Sequence, residues 1–143
     1  MAKAVIIYAS RSGNTAAMAR AVAEGLQEAG VDVELKGASE ATAEDLKEAQ
    51  AIILGSPTYM HDLIGPVKTF LFEMDKAELK GKLGAAFGSY GWSGEATRLL
   101  NETMKNIFQM EVLEPGLRIK GRPAGEGLER CRQFGREIAS KLR

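Results

Sequence analysis

The sequence has few of the residues that build cross-links and metal centres. Among its 143 residues there is one cysteine, Cys131, and one histidine, His61. A single cysteine excludes a disulfide framework, and without a cluster of cysteine and histidine no metal site is predicted. Cys131 lies in the apolar stripe of a predicted C-terminal helix, so we expect a packed thiol and a fold held together by its hydrophobic core.

Charge of one sign and long apolar runs are also absent. Lys and Arg number 19, as do Asp and Glu, so the formal net charge is zero. This balance gives no general attraction to nucleic acid or to an anionic membrane, and neither is predicted as a partner. The N-terminal apolar run at residues 4–9 is too short for a transmembrane helix and has no cleavage-site pattern. A cytoplasmic protein is therefore predicted.

The sequence does contain a regular alternation of strand and helix patterns. Apolar runs at residues 4–8, 51–54 and 83–87 are typical of strands buried on both faces, and amphipathic stretches follow them. Five strands and five helices are predicted. The alternation indicates one domain, residues 1–143, with an α/β fold: a doubly wound, five-stranded parallel sheet with helices on both faces.

Three segments carry more specific structural predictions. Val31–Leu35 alternates apolar and polar residues, which favours a strand near an edge of the sheet. Thr42, with Asp45 three residues later, predicts the start of a helix that runs to about Ala49. The final strand, within residues 112–119, is interrupted by Pro115-Gly116.

Sheets of this kind bind ligands beyond the carboxyl ends of their strands, which are followed here by three loops at residues 10–15, 56–65 and 88–94. The first loop, Ser10–Thr15, collects hydroxyl groups and a glycine where a helix begins. Free backbone N–H groups and the helix dipole attract an anion at such a position, so a phosphate site is favoured over an ordinary helix cap. The motifs of nucleoside-triphosphate and dinucleotide sites are missing.

The other two loops carry aromatic residues. Tyr59 precedes Met60 and His61 in the second loop, and the third presents Tyr90 and Trp92 between glycines. Such loops suit a flat, conjugated ligand that stacks on rings and accepts backbone hydrogen bonds. Each ring alone could equally cover the end of the core. Together with the phosphate loop, they favour a ligand that has both a ring system and a phosphate.

These loops resemble those of a known family. Ser10-x-Ser-Gly-Asn-Thr15 looks like the phosphate loop of flavodoxins, which bind flavin mononucleotide (FMN). Gly55-Ser-Pro-Thr58 and Phe87–Ala96 look like the flavodoxin-type module of A-type flavoproteins, the flavodiiron proteins. The resemblance covers about residues 3–140. It implies the flavodoxin-like strand order 2-1-3-4-5 and FMN as cofactor.

The resemblance also implies the cofactor-binding residues. The phosphate would be held by Ser10, Arg11, Ser12, Gly13, Asn14 and Thr15. The isoalloxazine ring would be flanked by residues of two segments. The first comprises Pro57, Thr58, Tyr59, Met60 and His61, and the second comprises Ser89, Tyr90, Gly91, Trp92, Ser93 and Gly94. Tyr59 and Trp92 would be the nearest rings, and no residue of the chain is predicted to be catalytic.

The function implied is that of an electron-transfer protein that shuttles electrons between redox enzymes, which dock transiently at the flavin edge. Three features depart from the resemblance. The chain is neutral where many flavodoxins are acidic, and one histidine cannot supply the ligands of a diiron centre. His61 also stands where many flavodoxins have a glycine beside the flavin.

Two other functions remain open on the same fold. An FMN-dependent NAD(P)H:quinone-type oxidoreductase would need a pocket over the flavin, and the chain has no long insertion to build one. A phosphoacceptor signalling module would need clustered Asp residues at the strand ends, where this sequence has Ser10 and Ser56. The electron carrier is therefore the preferred interpretation.

Overall fold

The alternation of apolar runs and amphipathic stretches produces alternating strands and helices. The computed structural model describes residues 2–142. Its strands are β1 (Lys3–Tyr8), β2 (Asp32–Gly37), β3 (Ala51–Gly55), β4 (Leu83–Tyr90), β5 (Glu111–Val112) and β6 (Leu117–Lys120). Its α-helices are α1 (Asn14–Glu28), α2 (Gly65–Met74), α3 (Glu95–Asn106) and α4 (Glu126–Ser140), and a 3₁₀ helix spans Ala43–Leu46. None of these helices is long and apolar enough to cross a membrane.

The strands form one parallel sheet in the order β2-β1-β3-β4-β5, and β6 also pairs with β4. The predicted doubly wound fold and its strand order are confirmed, and β2 lies at an edge as its alternation predicts. Alternate residues of the central strands point to opposite faces of the sheet. One face packs on α1 and α4 through Ile6 and Ile53, and the other packs on α2 and α3 through Ile52 and Leu54.

The end of β4 differs from the prediction. Residues 88–90, which are predicted as part of the third loop, belong to β4 because β6 pairs with them: Phe87 lies opposite Leu117, and Tyr90 lies opposite Lys120. The predicted interrupted strand is therefore two strands, β5 and β6, which pair with the first and second halves of β4. Consequently only residues 91–94 form the third loop.

The helix predicted from Thr42 to Ala49 is also shorter than expected. Thr42 and Asp45 do form a capping box, but only a 3₁₀ helix of four residues follows. Beyond it, the Lys82 ammonium donates hydrogen bonds to the carbonyls of Leu46, Lys47 and Ala49 at 2.8, 3.0 and 2.7 Å. These bonds satisfy the carbonyl groups outside a helix, just before the chain enters β3 at Ala51.

Helices α1 and α4 touch through their backbones. A Cβ atom added to Gly25 of α1 would lie 2.0 Å from the carbonyl oxygen of Arg132, and one added to Gly135 of α4 would lie 2.2 Å from that of Val22. Only glycine permits this approach. The contact fixes α1, whose first residues, Asn14 and Thr15, belong to the predicted phosphate loop.

Candidate functional site

The three predicted loops meet at the carboxyl ends of β1, β3 and β4. The Thr58 N–H donates a hydrogen bond to the Ser89 carbonyl at 3.0 Å, which joins the second loop to the end of β4. The hydroxyl groups of Thr15 and Ser89, both buried, lie 2.8 Å apart and join the start of α1 to the same strand. The sequence-predicted loops therefore form one continuous edge.

The Ser10–Thr15 loop has the features of an anion site. Gly13 has φ of 91°, a conformation that favours glycine and turns the chain into α1. Ser10 Oγ accepts hydrogen bonds from the N–H groups of Gly13 and Ala16 at 3.1 and 3.3 Å. Within residues 2–142, the N–H groups of Ser12, Asn14 and Thr15 have no acceptor. Three free amides at a helix N-terminus are suited to a phosphate.

Close contact between strands brings the second loop to this edge. A Cβ atom added to Gly88 would lie 2.3 Å from the Ser56 carbonyl oxygen, so a larger residue at position 88 would push the ends of β3 and β4 apart. Ser56 Oγ in turn donates a hydrogen bond to the Pro57 carbonyl at 2.8 Å. The start of the second loop, Pro57 and Thr58, is thus held against β4.

The tip of the second loop is a tight reverse turn. Tyr59 and Asp62 exchange backbone hydrogen bonds of 2.8 and 3.0 Å. Met60 and His61 between them have φ of 53° and 63°, the positive values that a type I′ turn requires at both central positions. Met60 is 83% exposed at the apex. Asp62, which closes the turn, forms an ion pair of 2.7 Å with Lys68.

His61 connects the second loop to the third. Its Nδ1 atom lies 3.0 Å from Glu95 Oε2 and 3.0 Å from Ser93 Oγ. Hydrogen bonds from Ser93 and His61 hold the pKa of Glu95 below its usual range. Because an ionised Glu95 accepts a hydrogen bond from His61, Nδ1 carries the proton in that contact. We call these three residues the His61–Glu95–Ser93 clasp.

The predicted aromatic residues lie around this clasp. The Trp92 side chain is 90% exposed, and its ring centre is 6.2 Å from that of His61. Tyr59 is 52% exposed, and the Arg11 guanidinium lies 4.3 Å from its ring centre, so this cation–π contact joins the first and second loops. The Tyr90 ring lies instead beside Arg118 of β6, whose guanidinium carbon is 5.9 Å from its centre.

The structure therefore brings all the predicted residues to one edge, with different surroundings. The exposed or half-exposed ones are Ser10, Arg11, Ser12, Gly13, Asn14, Pro57, Thr58, Tyr59, Met60, His61, Tyr90, Gly91, Trp92, Ser93 and Gly94. Thr15 and Ser89 are buried and bond to each other.

Two neighbours of this edge were not among the predicted cofactor-binding residues. Glu95, at the end of the Phe87–Ala96 motif, joins the clasp from α3, and Arg118 reaches Tyr90 from β6. The only sequence signal for Arg118 is the alternation of buried and exposed residues in Leu117–Lys120, which marks it as outward-facing. Its position beside Tyr90 depends on the pairing of β6 with β4.

Comparison with known proteins gives consistent matches. The profile of the flavodoxin family matches residues 6–135. The type A flavoprotein fprA of Rhodobacter capsulatus is 43% identical over 96% of this chain and 33% of its own length. An archaeal flavodoxin structure is 42% identical with a TM-score of 0.94, covering 98% of both chains. The flavodiiron core of Flv1 from Synechocystis is 32% identical with a TM-score of 0.89, over 99% of this chain and 36% of that one. The chain spans about a third of the length of such curated relatives.

Proposed function

Because the chain belongs to the flavodoxin family, whose members are FMN-binding electron-transfer proteins, we propose that it shuttles electrons between redox enzymes. It is homologous to the flavodoxin-type module of type A flavoproteins. The chain spans only about a third of the length of such relatives, so the activities of the whole relatives do not follow for this chain. The electron-carrier function rests on the site that the three loops form, and we retain the cytoplasm as its predicted location.

The residues present fit FMN. The free amides of Ser12, Asn14 and Thr15 lie at the start of α1, where a phosphate group gains charge-assisted hydrogen bonds. The exposed Tyr59 and Trp92 offer ring faces on the second and third loops, which the clasp joins. Bound there, FMN would supply one- and two-electron redox chemistry.

The chain's own residues would bind and orient this group. Arg11, which contacts the Tyr59 ring, carries a positive charge within the phosphate loop. The His61–Glu95–Ser93 clasp holds the second and third loops together, with the Nδ1 proton of His61 directed at Glu95. The exposed side chains of Met60 and Trp92 form a rim that suits the small interfaces of transient electron-transfer complexes.

The single observation that carries this proposal is the row of unpaired amides beside two exposed aromatic rings, and its first test is calorimetric. The apoprotein is titrated with FMN, riboflavin and FAD. We expect FMN to bind at least a hundredfold more tightly than riboflavin, since riboflavin forgoes several charge-assisted hydrogen bonds at about 1.5 kcal/mol or more each. Riboflavin binding as tight as that of FMN would contradict the phosphate site.

A pair of variants tests whether the phosphate binds at the Ser10–Thr15 loop. Ser12→Ala should weaken FMN several-fold and leave riboflavin little changed, because the Ser12 hydroxyl is exposed in the phosphate loop. Ser39→Ala, an equally exposed serine after β2, is the matched control and should change neither. Thr15→Ala is less informative, because its hydroxyl also bonds to Ser89.

A second measurement separates a carrier from a quinone reductase. A carrier should show almost no steady-state oxidation of NADH or NADPH by a quinone, whereas the FMN-loaded protein, once reduced chemically, should pass electrons to a one-electron acceptor. Sustained turnover of reduced nicotinamide at more than about 1 s⁻¹, the lower end of ordinary enzyme rates, would favour the reductase.

A further inference from the structure

A groove runs along the outer side of the third loop, between α3, α4 and β6. Its volume is about 1180 Å³, and it is lined among others by Trp92, Arg98, Asn101, Glu114, Arg118 and Arg130. Trp92 belongs both to this groove and to the proposed flavin rim, so a partner that occupies the groove would also contact that rim.

The charges of the groove are unevenly paired. Its carboxylates are engaged: Glu95 by His61 at 3.0 Å, Glu102 by Arg98 at 3.0 Å, and Glu114 by Lys105 at 3.5 Å. Among residues 2–142, no carboxylate lies within 4.0 Å of the guanidinium groups of Arg118 and Arg130. Two exposed guanidinium groups are thus left free to accept an anionic partner.

Arg118 lies close to the end of β4 and to the third loop. Its guanidinium carbon is 5.9 Å from the Tyr90 ring centre, and its Cδ would lie 3.0 Å from a Cβ atom added to Gly94. The exposed Lys120 follows two residues later on β6, about 7 Å along the strand on the same side. The planar guanidinium fork loses less entropy for each hydrogen bond it forms with a carboxylate than a flexible ammonium group does.

We propose that this groove, with Arg118 and Arg130, is the docking surface for an acidic segment of a redox partner protein. The inference rests on the proposed electron-carrier function, and it names the chemistry of the partner: carboxylate side chains that pair with the two free guanidinium groups. The chain as a whole is neutral. Recognition therefore depends on this local patch and not on the net charge.

The test uses the ¹⁵N-labelled, FMN-loaded protein and octaglutamate as the probe, followed by NMR. Trp92 is the only tryptophan, so its indole N–H gives one signal that reports on the groove directly. We expect octaglutamate to shift this signal and the amide signals of residues 116–120, and its affinity to fall as salt rises. Octalysine, of equal length and opposite charge, should leave the same signals unmoved.

Charge-removing variants locate the contact. Arg118→Gln and Arg130→Gln should each weaken octaglutamate about threefold to tenfold, whereas Arg118→Lys, which keeps the charge, should retain most of the affinity. Arg20→Gln, which removes an exposed charge from α1, is the matched control and should change nothing. Equal losses in all three glutamine variants, or binding of octalysine at the same signals, would overturn the proposal.

Electron transfer gives a second readout. After chemical reduction, the FMN-loaded protein is mixed with ferricyanide or with hexaammineruthenium(III), each of which accepts one electron. Arg118→Gln and Arg130→Gln should slow the reaction with ferricyanide several-fold, and should not slow that with the cationic ruthenium complex. Equal effects on both oxidants would overturn the proposal.

The outcomes keep this inference apart from the proposed function. If the protein binds FMN but not octaglutamate, the docking-surface proposal is wrong and the electron-carrier function is unaffected. If the protein binds octaglutamate but not FMN, the electron-carrier function is wrong, and the proposal of a redox partner is wrong with it.

Discussion

At the scale of single residues, the tip of the second loop stands out because two residues with side chains occupy the left-handed region. Met60 and His61 both have positive φ, which costs a residue with a Cβ atom about 1–2 kcal/mol. His61 offsets that cost by its contact with Glu95, but Met60 is exposed and its side chain has no hydrogen-bond partner among residues 2–142.

Met60→Asn should therefore stabilise the apoprotein. Asn tolerates the left-handed region and is favoured in type I′ turns, so we expect the free energy of unfolding to rise by about 0.5–1 kcal/mol. Met60→Val, with a β-branched side chain at the same position, should lower it by about 1 kcal/mol or more. Urea unfolding followed by circular dichroism measures both, and equal stability of the two variants would mean that the turn is not under this constraint.

Glu95 gives a prediction about pH. Its pKa is lowered in the folded protein by hydrogen bonds from Ser93 and His61. A lowered folded-state pKa contributes stability that is fully present above the unfolded-state pKa and is lost as the pH falls through the folded value. The stability advantage of the natural protein over Glu95→Gln should thus be constant near pH 7 and shrink below about pH 4.

Unfolding of both proteins in urea at a series of pH values from 7 to 3 provides the measurement. Glu102→Gln is the control, because that carboxylate lies about two helix turns further along α3 and outside the clasp. A difference between the natural protein and Glu95→Gln that does not vary with pH would show that the carboxylate is not held in its charged form.

The residues of the site differ in how far the sequence predicts them. Ser10–Thr15 is predicted because its chemistry is local: hydroxyl groups and a glycine follow a buried strand directly. The clasp could not be predicted in the same way, because His61 and Glu95 are 34 residues apart and meet only when β3 and β4 lie side by side. The stacking of Arg11 on Tyr59 likewise depends on how two loops fold over the sheet.

At the scale of elements, the contact between α1 and α4 determines where the phosphate loop lies. Gly135→Ala should place a methyl group against the Val22 carbonyl and force the helices apart, at a cost of about 3 kcal/mol. Gly127→Ala in the same helix is the matched control. Its methyl group would lie 3.4 Å from Ile119, an ordinary contact, and alanine favours helix over glycine by up to about 1 kcal/mol.

Thermal unfolding and FMN titration of both variants check this prediction. Gly135→Ala should unfold at a lower temperature and bind FMN more weakly, because α1 begins within the phosphate loop. Gly127→Ala should match or exceed the natural protein in both measurements. Similar losses in the two variants would show that α4 is sensitive to any added methyl group and not to the glycine contact.

The elements also show what a periodic pattern can and cannot predict. The apolar runs predict the central strands well, because strands buried on both faces require such residues. The prediction is wrong at the end of β4, because Gly88, Ser89 and Tyr90 are residues typical of a loop and join the sheet only through their pairing with β6. The helix after Thr42 was overextended because the carbonyls beyond Leu46 are bound by Lys82, which is 36 residues away from Leu46.

At the scale of the whole molecule, the single thiol reports on the cooperativity of the fold. Cys131 on α4 is fully buried, and burial raises its pKa to about 11, so the folded protein should not react with a thiol reagent. Reaction therefore requires opening of the structure around α4. If that opening is global unfolding, it also unfolds the phosphate loop at the N-terminal end of α1. A ligand bound to the phosphate loop must then lower the population of the open state.

FMN should thus slow the labelling of Cys131 even though the thiol takes no part in the proposed site. At a free FMN concentration of a hundred times its Kd, the ligand stabilises the folded state by about 2.7 kcal/mol. When the structure closes faster than the reagent reacts, the labelling rate is proportional to the population of the open form. The rate should then be roughly a hundredfold lower. Ser140→Cys, in a variant that also carries Cys131→Ala, provides an exposed thiol whose rate FMN should leave unchanged. If FMN leaves the rate at Cys131 unchanged as well, α4 opens independently of the sheet edge, and the backbone contact at Gly25 and Gly135 does not couple the two ends of the molecule.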